Sequence, residues 1–221
     1  MKKNIKIFSS LHKSTKRDYL KRMNDNKVYY MKLAKKYSLD YWDKSRKSGY
    51  GGYVYIPNYL RPLAKKIIKI YKLNNKSKIL DIGCGKGFLL YEIKKILPKV
   101  TISGFDISRY AISKSPKEIK NYLNVADAKN KFNYKNNQFD FAMSLGCIHN
   151  LEIFEIKNFL HEISRVSKKQ YIMTESYRSN AELFNLQCWA LTCESFFSPK
   201  EWLWLFNEFK YKGDYEFIFF E

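Results

Sequence analysis

A chain of 221 residues with 45 % hydrophobic and 17 % aromatic side chains has room for one packed domain and an extension, which excludes wholesale disorder or a disulfide-stapled miniprotein. The net charge of +20 is uneven, since residues 1–75 hold 20 Lys and Arg against 4 Asp and Glu while residues 76–221 hold 21 against 17. A third of the chain so poor in acids suits a polyanionic or anionic partner, although the accompanying wealth of Asn, Ile, Tyr and Phe also fits a genome rich in A and T.

In chain order, residues 27–37 and 62–73 carry helical patterns, the second with Leu63, Ile67 and Ile70 on one face. Between them residues 41–53, with three glycines, read as a loop. The composition shifts near residue 75, dividing a basic helical extension, 1–75, which is expected to cover the binding cleft, from a domain at 76–221. Lys78 to Ile82 reads as a buried strand, followed by the turn Gly83-Cys84-Gly85-Lys86-Gly87 and a helix that Pro98 stops. Strands follow at 100–105, ending at Asp106, at 122–125, ending at Asp127, and at 139–145. A helix with Ile156, Phe159, Leu160 and Ile163 on one face leads to a strand at 170–174. Ser198-Pro199-Lys200-Glu201 is a capping box that opens a last helix, and residues 215–220 make a last strand. Strands and helices alternating at this rhythm define an α/β fold: a doubly wound, mostly parallel Rossmann-like sheet with helices on both faces.

The glycine turn after the first strand departs from the dinucleotide fingerprint, because the third glycine of G-x-G-x-x-G would fall on Phe88 and the strand ends in an acid that would oppose a pyrophosphate. An acid before G-x-G-x-G suits a ligand with an ammonium group and no phosphate. Asp81, Asp106 and Asp127 end successive strands, whose carboxyl ends face one crevice in an open parallel sheet. Together they match the needs of an adenosine-bearing amino acid: charge for the ammonium, a bidentate acceptor for the ribose diol, and an acceptor for the adenine amino group.

These pieces, with Gly104-Phe105-Asp106-Ile107-Ser108, Ala126-Asp127-Ala128 and Phe139-Asp140-Phe141-Ala142-Met143-Ser144-Leu145, resemble a class I S-adenosylmethionine-dependent methyltransferase over residues 76–175. The resemblance implies S-adenosylmethionine as cofactor, held by Asp81, Gly83, Cys84 and Gly85 at its methionine end, by Asp106 at the ribose, and by Ile107, Asp127, Ala128 and Leu145 around the adenine and pocket. It also implies a seventh strand in a final antiparallel hairpin, of which only residues 215–220 are visible. Candidate bases are His149, Glu175 and Tyr177, and candidate acceptor contacts are Arg46, Tyr50, Tyr53 and Arg178. The end of the fourth strand, Ser144-Leu145-Gly146-Cys147, lacks the Asp/Asn-Pro-Pro-Tyr/Phe signature of enzymes that methylate exocyclic amines of nucleobases, and Cys147 lacks the proline that precedes a nucleophilic cysteine. Residues 41–55 and 184–197 look like those of bacterial methyltransferases of surface-glycan building blocks. The expected acceptor is therefore a small anionic metabolite, phosphorylated, nucleotide-linked or a glycan precursor. RNA held by the basic segment is the alternative, and a non-catalytic cofactor-binding module a more distant one. The cysteines show no C-x-x-C pair and no His at ligand spacing, so no metal is expected. The N-terminus has no apolar run of signal type and no segment is long enough to span a membrane, so the expected location is cytoplasmic.

Overall fold

The computed structural model describes residues 2–50 and 54–221. Among the described residues four α-helices precede the sheet: α1 (Ser9–Lys13), α2 (Tyr19–Asn24), α3 (Lys27–Ala34) and α4 (Arg61–Tyr71). Asp18 caps α2 by accepting the Lys21 N–H at 3.0 Å. The expected helix at 27–37 stops at Ala34, and Tyr37 takes a left-handed φ of 47° that no helix continues through. The start of the expected loop is a single π-helical turn, Asp40–Lys44, after which the chain folds back so closely that a Cβ on Gly49 would lie 1.9 Å from the Tyr41 carbonyl oxygen.

From there the order is β1 (Lys78–Ile82), α5 (Phe88–Ile96), β2 (Thr101–Asp106), α6 (Arg109–Ser113), β3 (Leu123–Val125), β4 (Phe141–Leu145), α7 (Ile153–Val166), β5 (Gln170–Glu175), α8 (Asn180–Trp189), α9 (Pro199–Glu208) and β6 (Asp214–Ile218). Ser108 caps α6, and the Ser198–Glu201 box opens α9 as the sequence implies. The strands lie in the order β3-β2-β1-β4-β5-β6, all parallel, with the switch in order between β1 and β4. Successive residues alternate between two buried layers. Ile79, Phe141, Tyr171 and Ile218 face the layer containing Leu63 and Ile67 of α4 and Leu90 and Ile93 of α5, while Leu80, Ala142, Ile172 and Phe217 face Phe159 of α7 and Trp202 and Phe206 of α9. Covering both faces holds the strands rigid, so their carboxyl ends form a fixed rim.

The antiparallel hairpin implied by the resemblance is not found among the described residues. The α9 crossover brings β6 back parallel beside β5, with Tyr171 opposite Asp214. Its outer edge is partly taken by the chain's own beginning, where the Ile5 N–H donates to the Tyr215 carbonyl at 2.8 Å and the Tyr215 N–H to the Lys3 carbonyl at 3.0 Å. The buried Glu216 carboxylate fixes this arrangement, accepting the backbone N–H groups of Ile7, Phe8 and Ser9 at 2.6, 2.8 and 2.7 Å. No described helix is long and apolar enough to cross a membrane.

Candidate active site

A cleft of about 630 Å³ opens at the carboxyl ends of β1, β2 and β4, where the switch in strand order leaves a crevice. Its floor is the turn after β1. Gly83, Gly85 and Gly87 have φ of 76°, 56° and 73°, so the turn winds through conformations that side chains resist. A Cβ on Gly85 would also meet the Trp42 ring at 2.7 Å. Asp106 orders this turn, accepting the Gly85 N–H and the Ser108 N–H, each at 2.8 Å. Burial raises the Asp106 carboxyl above its ordinary range, against the pull of those two donors. Asp81 is 3 % exposed, and its Oδ1 has no hydrogen-bond partner. Burial, with the Asp106 charge adding, pushes it up to about 8. A carboxylate atom left without a donor on the wall of a cleft calls for a donor or cation from a ligand.

The other predicted cofactor residues gather around this floor. Cys84, Ile107, Asp127, Ala128 and Leu145 all line the cleft. Ile107 leaves 46 % of its surface open, an apolar platform beside Asp106. Asp127 accepts the Lys129 N–H at 3.1 Å and lies 3.6 Å from the Lys129 ammonium. Burial raises the Cys84 thiol well above its ordinary value and pushes Cys147 up to about 12, so neither is poised as a thiolate nucleophile.

Across the cleft, two candidate bases form one unit. His149 Nε2 lies 3.5 Å from Glu175 Oε2, and both side chains line the cavity. His149 is 3 % exposed; its Nδ1 and Glu175 Oε2 have no hydrogen-bond partners. The sequence treated the two as separate alternatives. The end of β5 brings them together with the short helical turn Ile148–Asn150 after β4.

The wall opposite the sheet comes from residues 35–50. Tyr37, Tyr41, Trp42 and Tyr50 line the cleft, and the segment is pinned to the turn and to α6: Lys86 pairs with Asp43, the Tyr110 hydroxyl donates to Asp43 at 2.9 Å, and the Ser108 hydroxyl donates to the Tyr37 carbonyl. Sequence reading overlooked Lys35 and Tyr37; Tyr41 and Trp42 lie in the segment 41–55 and Glu194 in the segment 184–197, both of which the sequence singled out as the lid and acceptor walls without naming these side chains.

Three predicted contacts stand elsewhere. Arg46 lines a second groove of about 370 Å³, its guanidinium 5.3 Å from the Trp189 ring. Tyr177 is absent from the cleft wall, and burial with its contact to Glu201 raises its hydroxyl pKa. Arg178 is held by Glu182 and by Glu221 at 2.7 Å and lies over the Phe219 ring, so its charge is already matched. Tyr53 lies outside the described residues.

An open parallel sheet with strand-end acids around a glycine turn defines a class of nucleoside-cofactor enzyme, and the family comparison makes it specific. A family model described as a methyltransferase domain matches residues 73–210. The chain belongs to this family; it is a class I methyltransferase dependent on S-adenosylmethionine. No curated protein matches it. Among solved structures it is similar to the YcgJ protein of Bacillus subtilis, at 16 % identity and a TM-score of 0.54 over 66 % of each chain. It is also similar to a putative methyltransferase of Haloferax volcanii solved with the activator Trm112, at 14 % and 0.56 over 88 % of this chain and 76 % of that one. A third likeness is to a SAM-dependent methyltransferase of Aquifex aeolicus, at 21 % and 0.52 over 70 % and 83 %. The chain thus spans about two thirds of the length of YcgJ and more of the other two.

Proposed function

We propose that the protein methylates a small acceptor inside the cleft, with His149 taking up the proton that the acceptor loses. One observation carries this reading: His149 Nδ1 and Glu175 Oε2, both buried and without hydrogen-bond partners, lie on the wall of the cavity that holds the strand-end acids. With Nε2–H turned toward Glu175, the lone pair of Nδ1 is free to accept, and the carboxylate favours the imidazolium that forms.

In this reading Asp81 holds the cofactor's ammonium, the glycine turn its methionine end, Asp106 the ribose, and Ile107, Asp127, Ala128 and Leu145 the adenine. The unpartnered Asp81 oxygen supports this fit, as does a turn that a Cβ would block. Bound S-adenosylmethionine supplies a methyl group activated on a sulfonium. The protein's part is to align the acceptor, take its proton and keep water out, and residues 37–43, pinned to Lys86, Tyr110 and Ser108, serve the last of these.

RNA as acceptor is the second reading. It is favoured by the groove over Trp189, where Lys16, Lys21, Arg22, Arg46 and Lys47 outnumber Asp18 and Asp25. Methyl transfer from tritiated cofactor into a cell extract, split into RNA, protein and small-molecule fractions, separates the two. Label in the small-molecule fraction, lost with Asp106→Ala, is the expected result. Label in RNA, with affinity falling steeply as salt rises from about 50 to 200 mM, rejects the small acceptor.

A further inference from the structure

We infer that the acceptor is an amine, bound as its ammonium and methylated on nitrogen; this rests on the small-acceptor reading above. A protein of charge +20 would be expected to offer its cleft to an anion, yet the cleft wall has the opposite balance. Four glutamates, Glu152, Glu155, Glu175 and Glu194, join Asp106 and Asp127 there, even with Asp81 left to the cofactor, against Lys35, Lys86 and Lys129 among the described residues. The undescribed residues 51–53 are Gly-Gly-Tyr and bring no charge.

Each of those lysines already has a carboxylate partner. Lys35 pairs with Glu194 at 2.5 Å, Lys86 with Asp43, and Lys129 with Asp127 at 3.6 Å and Glu155 at 3.5 Å. An anionic acceptor would have to enter among carboxylates and take a lysine from one of them, whereas a cation meets acceptors that are waiting. Glu175 Oε2, whose neighbour on the wall is His149 Nε2 at 3.5 Å, makes no hydrogen bond, and neither does the buried His149 Nδ1, so both can take a donor.

The aromatic wall points the same way. Tyr37, Tyr41 and Tyr50 line the cleft, the rings of Tyr37 and Tyr50 standing 5.3 and 5.7 Å from that of Tyr41. Burial raises the hydroxyl pKa of Tyr37 and of Tyr50, so both line the cleft as neutral rings, that of Tyr50 already having the Arg22 guanidinium 5.4 Å from its centre. Neutral aromatic faces beside a carboxylate are a setting in which alkylammonium ions bind.

For methylation, the ammonium gives one proton to His149 Nδ1, leaving a neutral amine beside a His149 imidazolium that Glu175 stabilises. The nitrogen lone pair then forms the new C–N bond as the S–C bond breaks, with that bonding pair remaining on sulfur. The product leaves as a methylated ammonium, and His149 returns its proton to solvent.

The experiment separates the labelled small-molecule products of the extract assay by ion exchange. Retention of the label on a cation exchanger at neutral pH, and its survival under base that cleaves methyl esters, is expected. Label in an anionic or neutral product overturns the inference while leaving the small-acceptor reading intact, whereas label only in RNA or protein overturns both. A readout without turnover accompanies it: saturation-transfer NMR of the extract's cationic small-molecule fraction over protein loaded with S-adenosylhomocysteine. Signals with the wild type that fall at least tenfold with Glu175→Gln, at unchanged S-adenosylhomocysteine affinity, are expected. Equal signals with both proteins, or signals only from the anionic fraction, overturn it.

Discussion

Asp81, the glycine turn and Asp106 belong to one β-α-β unit, residues 78–106, whereas the opposite side of the same cleft gathers Lys35, Tyr50, His149, Glu175 and Glu194 from across the chain. The first group is positioned locally: a strand leads into a turn of left-handed glycines, and a neighbouring strand-end acid accepts a turn N–H. The second group is positioned by the sheet as a whole and by an N-terminal segment pinned over it. The difference suggests that the cofactor side is built for a fixed ligand and that acceptor choice resides in side chains which only the tertiary fold brings together.

The sharpest way to break this division is to change the acceptor side alone. His149→Gln is expected to lower kcat by about 10²- to 10⁴-fold, the usual range for losing a positioned general base, while S-adenosylhomocysteine affinity stays at the wild-type value. Single-turnover rates and calorimetry on the same preparation provide both numbers. A parallel loss of cofactor affinity would mean that the two sides do not act separately.

Changing the cofactor side should have the complementary effect. Asp106→Ala is expected to weaken S-adenosylhomocysteine binding at least tenfold, since hydrogen bonds to a charged group are worth about 1.5 to 3 kcal/mol. Because Asp106 also orders the Gly85 N–H, Asp106→Asn helps to interpret the loss: it preserves one acceptor and should bind with intermediate affinity. Unchanged calorimetric affinity in Asp106→Ala would remove this acid from the cofactor site.

How much of each side the sequence revealed follows from the same geometry. Asp81, Gly83, Gly85, Asp106 and Asp127 were readable because each is fixed by its place at a strand end or in a turn, whereas Cys84, Ile107, Ala128 and Leu145 came only with the family resemblance; all of them line one cleft. His149 and Glu175 were found one at a time, their 3.5 Å approach depending on how β4 and β5 pair. The parallel course of β6 was hidden, because residues 215–220 carry the same alternation in either direction. The pairing of Lys35 with Glu194 gave no local signal; an ion pair between residues so distant in the chain is invisible until the segment at 35–50 is laid over the sheet.

Smaller effects sharpen the comparison through pH. In the ligand-free protein burial, with the Asp106 charge adding, pushes the Asp81 carboxyl up to about 8 from its ordinary 3.8. Its contribution to stability is therefore fully present at low pH and lost as pH climbs through that window, so the folded protein should become less heat-stable from pH 5 toward about 8. Cofactor binding runs the other way. An ammonium favours ionised Asp81, so binding near neutrality should release a proton, and affinity should rise with pH before levelling off near 8. Calorimetry in buffers of different ionisation enthalpy detects the proton, and Asp81→Asn should abolish both trends. Equal apparent enthalpies in every buffer would contradict the assignment.

The smallest expected effect concerns a residue that the sequence nominated and the fold used elsewhere. Arg178 follows β5, three residues beyond the end-of-strand Glu175, which made it a natural partner for an acidic acceptor. Its guanidinium instead meets Glu182 and Glu221 and lies 4.1 Å from the centre of the Phe219 ring, and its backbone N–H donates to Glu182 at 2.7 Å. Half-exposed ion pairs of this kind contribute little to stability. Arg178→Ala is therefore expected to leave kcat and KM unchanged, with at most a slight loss of thermal stability as Glu182 and Glu221 lose their shared cation. A large rise in acceptor KM in this variant would show that Arg178 swings toward the cleft when the acceptor binds. That outcome would restore an anionic acceptor and count against the amine, because a freed guanidinium would then be the unpaired cation that the described cleft wall lacks.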